Sequence, residues 1–195
     1  MKVFQIGFNR CGTRTIHQYF GANGVPSVHW DTGRLARRIF TNLADGEDLL
    51  AGYSEFTVFT DMEWLDGVHH FEAYKLYPYL AAQYPDGVFI LNTRDREAWI
   101  RSRLHHRGGS YAARYKRYLG IASDEKLADV WRAEWERHHR RVSDFFDKQR
   151  DRFFVCRVET DLPDLLDRNL PEFRLNRQLY RRVAEDETLA ERIFG

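Results

Sequence analysis

At 195 residues, 43% hydrophobic and 15% aromatic, the chain has enough apolar material for one domain with a full core, assigned here to 1–195. Its 30 basic and 29 acidic residues leave a net charge of +1, which gives no global drive toward nucleic acid or a membrane surface, so any anion site must be local. Two cysteines, Cys11 and Cys156, argue against a disulfide framework and paired-thiol metal spacings. With Met1-Lys2-Val3-Phe4 running straight into a strand and no apolar run of membrane length, a cytoplasmic protein is expected.

The first strand is expected at Val3-Phe4-Gln5-Ile6. It breaks at Gly7 into a polar, basic stretch through Arg10, Cys11, Gly12, Thr13, Arg14 and Thr15. Ile16, Tyr19 and Phe20 then recur at helical spacing, predicting a helix over 13–23 stopped by Gly24 and Pro26. A loop at a helix N-terminus gathers unpaired N–H groups and the positive end of the helix dipole, a natural seat for phosphate. Arg10 and Arg14 add charge, and Thr13 and Thr15 add hydroxyl donors.

A second strand follows over 26–30, with Asp31 placed to cap a helix whose Leu35, Ile39 and Leu43 share one face. A third strand is expected over 56–60 and a helix over 69–83, from the spacing of Phe71, Tyr74, Leu76, Tyr77 and Leu80. The run 88–93 reads as a central parallel strand. Arg94-Asp95 leads from it into a helix with Trp99 and Ile100 inward, interrupted at Gly108-Gly109. A long helix is expected over 123–149 and a last strand over 153–158. A further helix follows Glu159-Thr160-Asp161, and the polar remainder beyond Pro171 is also expected to be helical. Strands alternating with helices define an α/β fold of three layers around a mostly parallel sheet, with ligands at the C-terminal strand ends.

Gly7 and Gly12 have Walker A spacing, but Thr13 replaces the lysine and Arg14 the magnesium-binding hydroxyl. The order Arg10-Cys11-Gly12-Thr13-Arg14-Thr15 instead resembles the phosphosulfate loop of sulfotransferases, departing only at Arg14, often a threonine there. On spacing alone, Arg94 beside Asp95 and Ser102 as an ordinary helix serine is the simpler reading. The run Phe89-Ile90-Leu91-Asn92-Thr93-Arg94-Asp95-Arg96-Glu97-Ala98-Trp99, with Ser102 eight residues after Arg94, is similar to the smaller, mostly bacterial and carbohydrate-type members of that family.

The resemblance covers 1–30 and 85–105, and more weakly 130–165. It implies a P-loop-like sulfotransferase fold and 3′-phosphoadenosine 5′-phosphosulfate (PAPS) as donor. The loop from Arg10 to Thr15, Cys11 and Arg14 included, would face the 5′-phosphosulfate, and Arg94 and Ser102 the 3′-phosphate. No basic glycine-rich segment for the adenine side is found. The acceptor would be a small molecule or carbohydrate with a hydroxyl or amine. No metal is expected, because arginine and amide donors meet the leaving group.

The acceptor must lose a proton, and His29 is the first candidate base, ahead of Asp31, Asp61 and Glu63. His29 reads equally as a buried, backbone-bonded histidine, and Asp31 as a cap. Trp30, Trp64 and Tyr111 are candidates for an acceptor pocket. The pairs His69-His70, His105-His106 and His138-His139 read as no metal site, and Cys11 as a small packing residue. Two other classes compete: a P-loop kinase-like phosphotransferase or nucleotide hydrolase, and a non-catalytic nucleotide-binding module of the same fold.

Overall fold

The computed structural model describes residues 1–183. The chain runs β1 (Val3–Gln5), α1 (Thr13–Ala22), β2 (Ser27–His29), α2 (Arg34–Asp45), β3 (Val58–Thr60), β4 (Glu63–Leu65), β5 (His70–Glu72), α3 (Tyr77–Gln83), β6 (Val88–Thr93), α4 (Arg96–His105), α5 (Ser110–Leu119), α6 (Asp124–Phe145), β7 (Phe153–Arg157) and α7 (Asp164–Asn169). Five strands form one sheet in the order β2-β3-β1-β6-β7, every neighbouring pair parallel, and β4 and β5 form a separate antiparallel hairpin.

Side-chain alternation along the strands builds the two faces. Val3 aligns with Val58 and Val88, and these pack with Ile16, Tyr19 and Phe20 of α1 and Leu166 of α7. The next residues, Phe4, Phe59 and Phe89, are again in register and face the other way, with ring centroids 5.5 and 5.1 Å from Phe4. They pack with apolar residues of α2, α3, α4 and α6 in the larger core. Burying side chains such as these contributes about 1.5–3 kcal/mol each, so the layers themselves hold the C-terminal strand ends in place.

Several expectations need correction. The segment expected as a helix over 69–83 begins as β5. Asp66 Oδ1 accepts from the Val68 and His69 amides, and Gly67, at φ 95°, completes the turn that folds β5 back on β4. Phe71 packs on Phe40 of α2, so its apolar side serves a sheet face, and only Tyr77–Gln83 is α-helical. Asp31 does not cap α2. It opens a 3₁₀ turn, and Gly33, at φ 81°, takes the N-cap position. Asp95 and Ser123 do cap, accepting from Ala98 N at 2.7 Å and Lys126 N at 3.2 Å.

The long helix α6 ends at Phe145 rather than near 149, and α5, absent from the sequence reading, fills the span after Gly109. Beyond Pro171 the chain makes two 3₁₀ turns, Pro171–Phe173 and Arg177–Leu179, instead of the expected helix; the rest of that expectation lies outside the described residues. Among the described residues, no helix is long and apolar enough to cross a membrane.

Candidate active site

The loop between β1 and α1 is held by its oxygens. Each consecutive carbonyl from Ile6 to Cys11 accepts a side-chain hydrogen bond: Ile6 from His138 Nε2, Gly7 from Gln5 Nε2, Phe8 and Cys11 from Asn92 Nδ2, Asn9 from Trp99 Nε1, and Arg10 from Arg94 Nη1. Asn92, fully buried on β6, also accepts from the Gly7 amide at 2.9 Å. With the carbonyls occupied from the protein side, the loop is fixed before any ligand arrives. The first bond of α1 runs from Ile16 N to Gly12 O, so the preceding amides of its first turn have no partner within the helix.

Two glycines make the arrangement possible. A Cβ on Gly7 would stand 2.1 Å from the Asn92 carbonyl oxygen, so only glycine lets the loop press on β6. Gly12, at φ 74°, is the N-cap of α1, and a Cβ there would meet Val158 at 2.9 Å.

A cavity of about 480 Å³ opens at the C-terminal ends of the strands, within the range of small-molecule sites. Arg10, Gly12, Thr13, Arg14, Thr15, Arg94, His29, Asp31 and Asp61 all line it. Cys11 is buried and does not. Ser102 is also off the wall, but its Oγ accepts from Arg10 Nε at 3.0 Å, so it holds a residue that is on it. Arg94 reaches the loop from the end of β6, donating to the Arg10 carbonyl at 3.1 Å, and its Nε lies 3.2 Å from Glu159 Oε1. The two sequence segments singled out above therefore meet through Arg10.

The candidate bases separate on inspection. His29 Nδ1 lies 3.0 Å from Thr60 Oγ1, whose own hydroxyl donates to the Val28 carbonyl. Nδ1 is thus the protonated nitrogen, and Nε2 faces Asp61 Oδ2 at 3.6 Å, too far for a hydrogen bond. Burial, with the charges of His17 and Arg14, pushes His29 down to about 3. It is neutral at pH 7 and a weak proton acceptor.

Burial and the neighbouring Glu63 carboxylate push Asp61 up to about 7, against the pull of Arg103, Arg10 and Arg107. Asp31 is otherwise engaged: Tyr53 donates to its Oδ2 and Arg34 to its Oδ1. Burial works against its charge, but those two bonds hold it below the usual carboxylate range.

Glu63 belongs to a buried network. It accepts from Asn9 Nδ2 and the Tyr111 hydroxyl at 2.7 and 2.9 Å, with Arg103 at 3.6 Å. Burial opposes its charge, but His70 and Arg103 keep it ionised at neutral pH. Glu63, His70 and Glu72 bring potential metal-ligand atoms within 4.8 Å of one another, a carboxylate grouping that the paired histidines did not suggest in the sequence. Arg103 and Lys75 already answer those carboxylates, so the group reads as an internal ion network that ties the hairpin to Asn9 of the loop.

Backbone strain collects at the same cavity. Arg10, Trp30, Asp31, Thr32, Asp61 and Arg107 line it with φ between 48° and 60°, a region costly for residues other than glycine. Arg174 is the one other such residue among those described. Of the aromatic candidates, Trp30 and Tyr111 line the cavity, whereas Trp64 lies outside it under the Arg37 guanidinium. Sequence reasoning missed Asn92, Arg103, His106, Arg107 and Arg114. A buried amide in an apolar strand was the available signal for Asn92; the others carried none.

A five-stranded parallel sheet flanked by helices, with a strand–loop–helix cradle at its C-terminal edge, defines an α/β protein of the P-loop-like kind. The chain belongs to the sulfotransferase domain family, whose model matches residues 2–160. No curated relative matches it.

Proposed function

We propose that residues 1–195 act as a single cytoplasmic sulfotransferase domain that moves a sulfuryl group from PAPS to a hydroxyl or amine of a small-molecule or carbohydrate acceptor. One observation carries the donor assignment. Arg94 and Ser102, from a segment distant in sequence, both bond to Arg10 of the loop, at 3.1 and 3.0 Å. Family membership supports the reaction class.

Bound in the cavity, the donor substrate supplies an activated sulfuryl group. Arg10 and the amides of the first turn of α1 meet the negative charge that grows on the leaving 5′-phosphate, with Thr13 and Thr15 as further donors. The loop needs no reorganisation to do so, because its carbonyls are already engaged. Arg94 takes the 3′-phosphate, and Ser102, behind the wall, steadies Arg10. Asp61 accepts the proton of the attacking hydroxyl, since an acceptor with a pKa near 7 is matched to the working pH. His29 stands behind it as a neutral neighbour. Arginine and amide donors meet the charge, so the mechanism calls for no metal.

Adenosine 3′,5′-bisphosphate and Mg-ATP, compared by thermal shift and isothermal titration, test this. The bisphosphate is expected to raise the melting temperature and Mg-ATP to leave it unchanged. Arg94→Ala is expected to weaken bisphosphate binding about ten-fold or more, the scale of a charge-assisted hydrogen bond. A preference for Mg-ATP would mark a phosphotransferase and overturn the reading.

A further inference from the structure

The cavity has a second wall. Opposite the loop, the end of α4, the turn that follows it and the start of α5 bring His106, Arg107, Tyr111 and Arg114 to face Trp30 and Asp61. Some guanidiniums elsewhere are met by carboxylates, Arg34 by Asp31, Arg132 by Glu97 and Arg150 by Asp147, and Arg152 is met by the carbonyls of Ala81, Tyr84 and Pro85. Arg107 and Arg114 form no ion pair among the described residues.

Arg107 is instead laid over the Trp30 ring, its guanidinium carbon 4.7 Å from the ring centroid. Its backbone is strained at φ 53°, and Gly108 and Gly109, at 62° and 81°, continue the turn that presents it. Burial works against its charge, and the charge of Arg114 adds to this; Asp61 opposes the effect and Arg14 reinforces it. Gly67 of the β4–β5 turn lies against α5: a Cβ there would stand 3.3 Å from Arg117 and 3.7 Å from Arg114 Cα. Two like charges thus act on each other at this wall, Arg107 beside an aromatic face, with Asp61 as the carboxylate that reaches it and no ion pair formed. That arrangement is costly until an oxyanion enters.

We propose that the acceptor carries an oxyanion, a carboxylate or a sulfate or phosphate ester, which Arg107 and Arg114 bind while the acceptor hydroxyl faces Asp61. This rests on the donor reading above. The donor's phosphates have Arg10 and Arg94 on the loop side, so the second pair of cations is left for the other substrate. Arg107 also lies near Asp61, which feels its charge, so the anion is seated close to the hydroxyl that reacts.

Matched acceptors test the proposal: 4-hydroxybenzoate against 4-methylphenol, and glucuronate against glucose, with transfer of radiolabelled sulfate from PAPS as readout. The anionic member of a pair is expected to have a kcat/KM about ten-fold higher or more. In Arg107→Ala/Arg114→Ala that ratio is expected to collapse to about one, with bisphosphate affinity kept. Equal or better use of the neutral members by the wild type overturns the proposal, as does a ratio that survives in the double variant. Loss of bisphosphate affinity in the double variant also overturns it, by assigning the two arginines to the donor.

If no pair is turned over, 4-hydroxybenzoate and glucuronate are titrated into protein saturated with bisphosphate. Saturable binding that the double variant loses upholds the proposal, and no saturable binding of either anion sinks it. Failure of the wild type to bind bisphosphate at all is a separate result: it removes the donor reading and, with it, this one.

Discussion

The two walls of the cavity are made of different material. The loop wall is backbone, with consecutive carbonyls tied down by His138, Gln5, Asn92, Trp99 and Arg94. The opposite wall is made of side chains, with Arg107, itself at φ 53°, resting on an aromatic face. The first is built by bonds that also hold the fold together. In the second, Tyr111 belongs to the buried Glu63 network, whereas Arg107 and Arg114 form no ion pair among the described residues and face the cavity. One half of a site can therefore be inseparable from stability while the arginines of the other are free to be tuned.

Substitutions can sharpen or break that contrast. Arg10→Ala is expected to lower transfer by roughly 10² to 10³, the usual cost of losing a donor to developing charge, while bisphosphate affinity falls by less than about ten-fold. Steady-state transfer and titration read the two effects, and an equal loss in both would demote Arg10 to a binding residue. Asn92→Ala should lower unfolding stability by about 3 kcal/mol, since it strands the Phe8 and Cys11 carbonyls and the Gly7 amide. Urea unfolding measures this, and a similar loss in Arg107→Ala/Arg114→Ala would erase the distinction between the walls.

Asp61→Asn should reduce transfer about 10²-fold and abolish a rise in rate as pH passes about 7. Its stability effect has the opposite sign. Folded Asp61 keeps its proton up to about 7, whereas the unfolded carboxyl releases it near 4. The folded state therefore binds more protons in that window, and wild-type stability falls as pH rises through it. The asparagine variant should melt above the wild type at pH 8 and not at pH 4; a wild type that stays the more stable at pH 8 would reject the raised pKa. The smallest effect is expected from Arg107→Gly, which relieves a left-handed φ and should stabilise by about 1 kcal/mol, visible as a modest shift in melting temperature.

The loop wall was legible in the sequence because its parts are contiguous. An apolar strand, a glycine break and a helix start lie within sixteen residues, and Arg94 follows the one unmistakable central strand. Asp61 was among the candidate bases, but its rank was not readable. His29 loses basicity and Asp61 gains it through burial and neighbours that only the assembled sheet supplies. The hairpin at Glu63–Glu72 was misread because Phe71, Tyr74 and Leu76 mimic helical spacing, whereas the deciding feature was the side-chain bonding of Asp66. Helix α5 was hidden by Gly108-Gly109, which signalled a break but not what came after. Arg107 and Arg114 drew no reading from the sequence, and the fold sets them in the lining of the cavity with Trp30 and Asp61.

A cradle clamped from behind cannot tell a fresh donor from a spent one. The features that hold PAPS in the proposed scheme, the α1 amides, Arg10 and Arg94, address phosphates that survive the reaction unchanged. The discharged nucleotide should therefore linger and compete with its replacement, and escape from the cleft, rather than the chemistry inside it, would set the pace of repeated cycles.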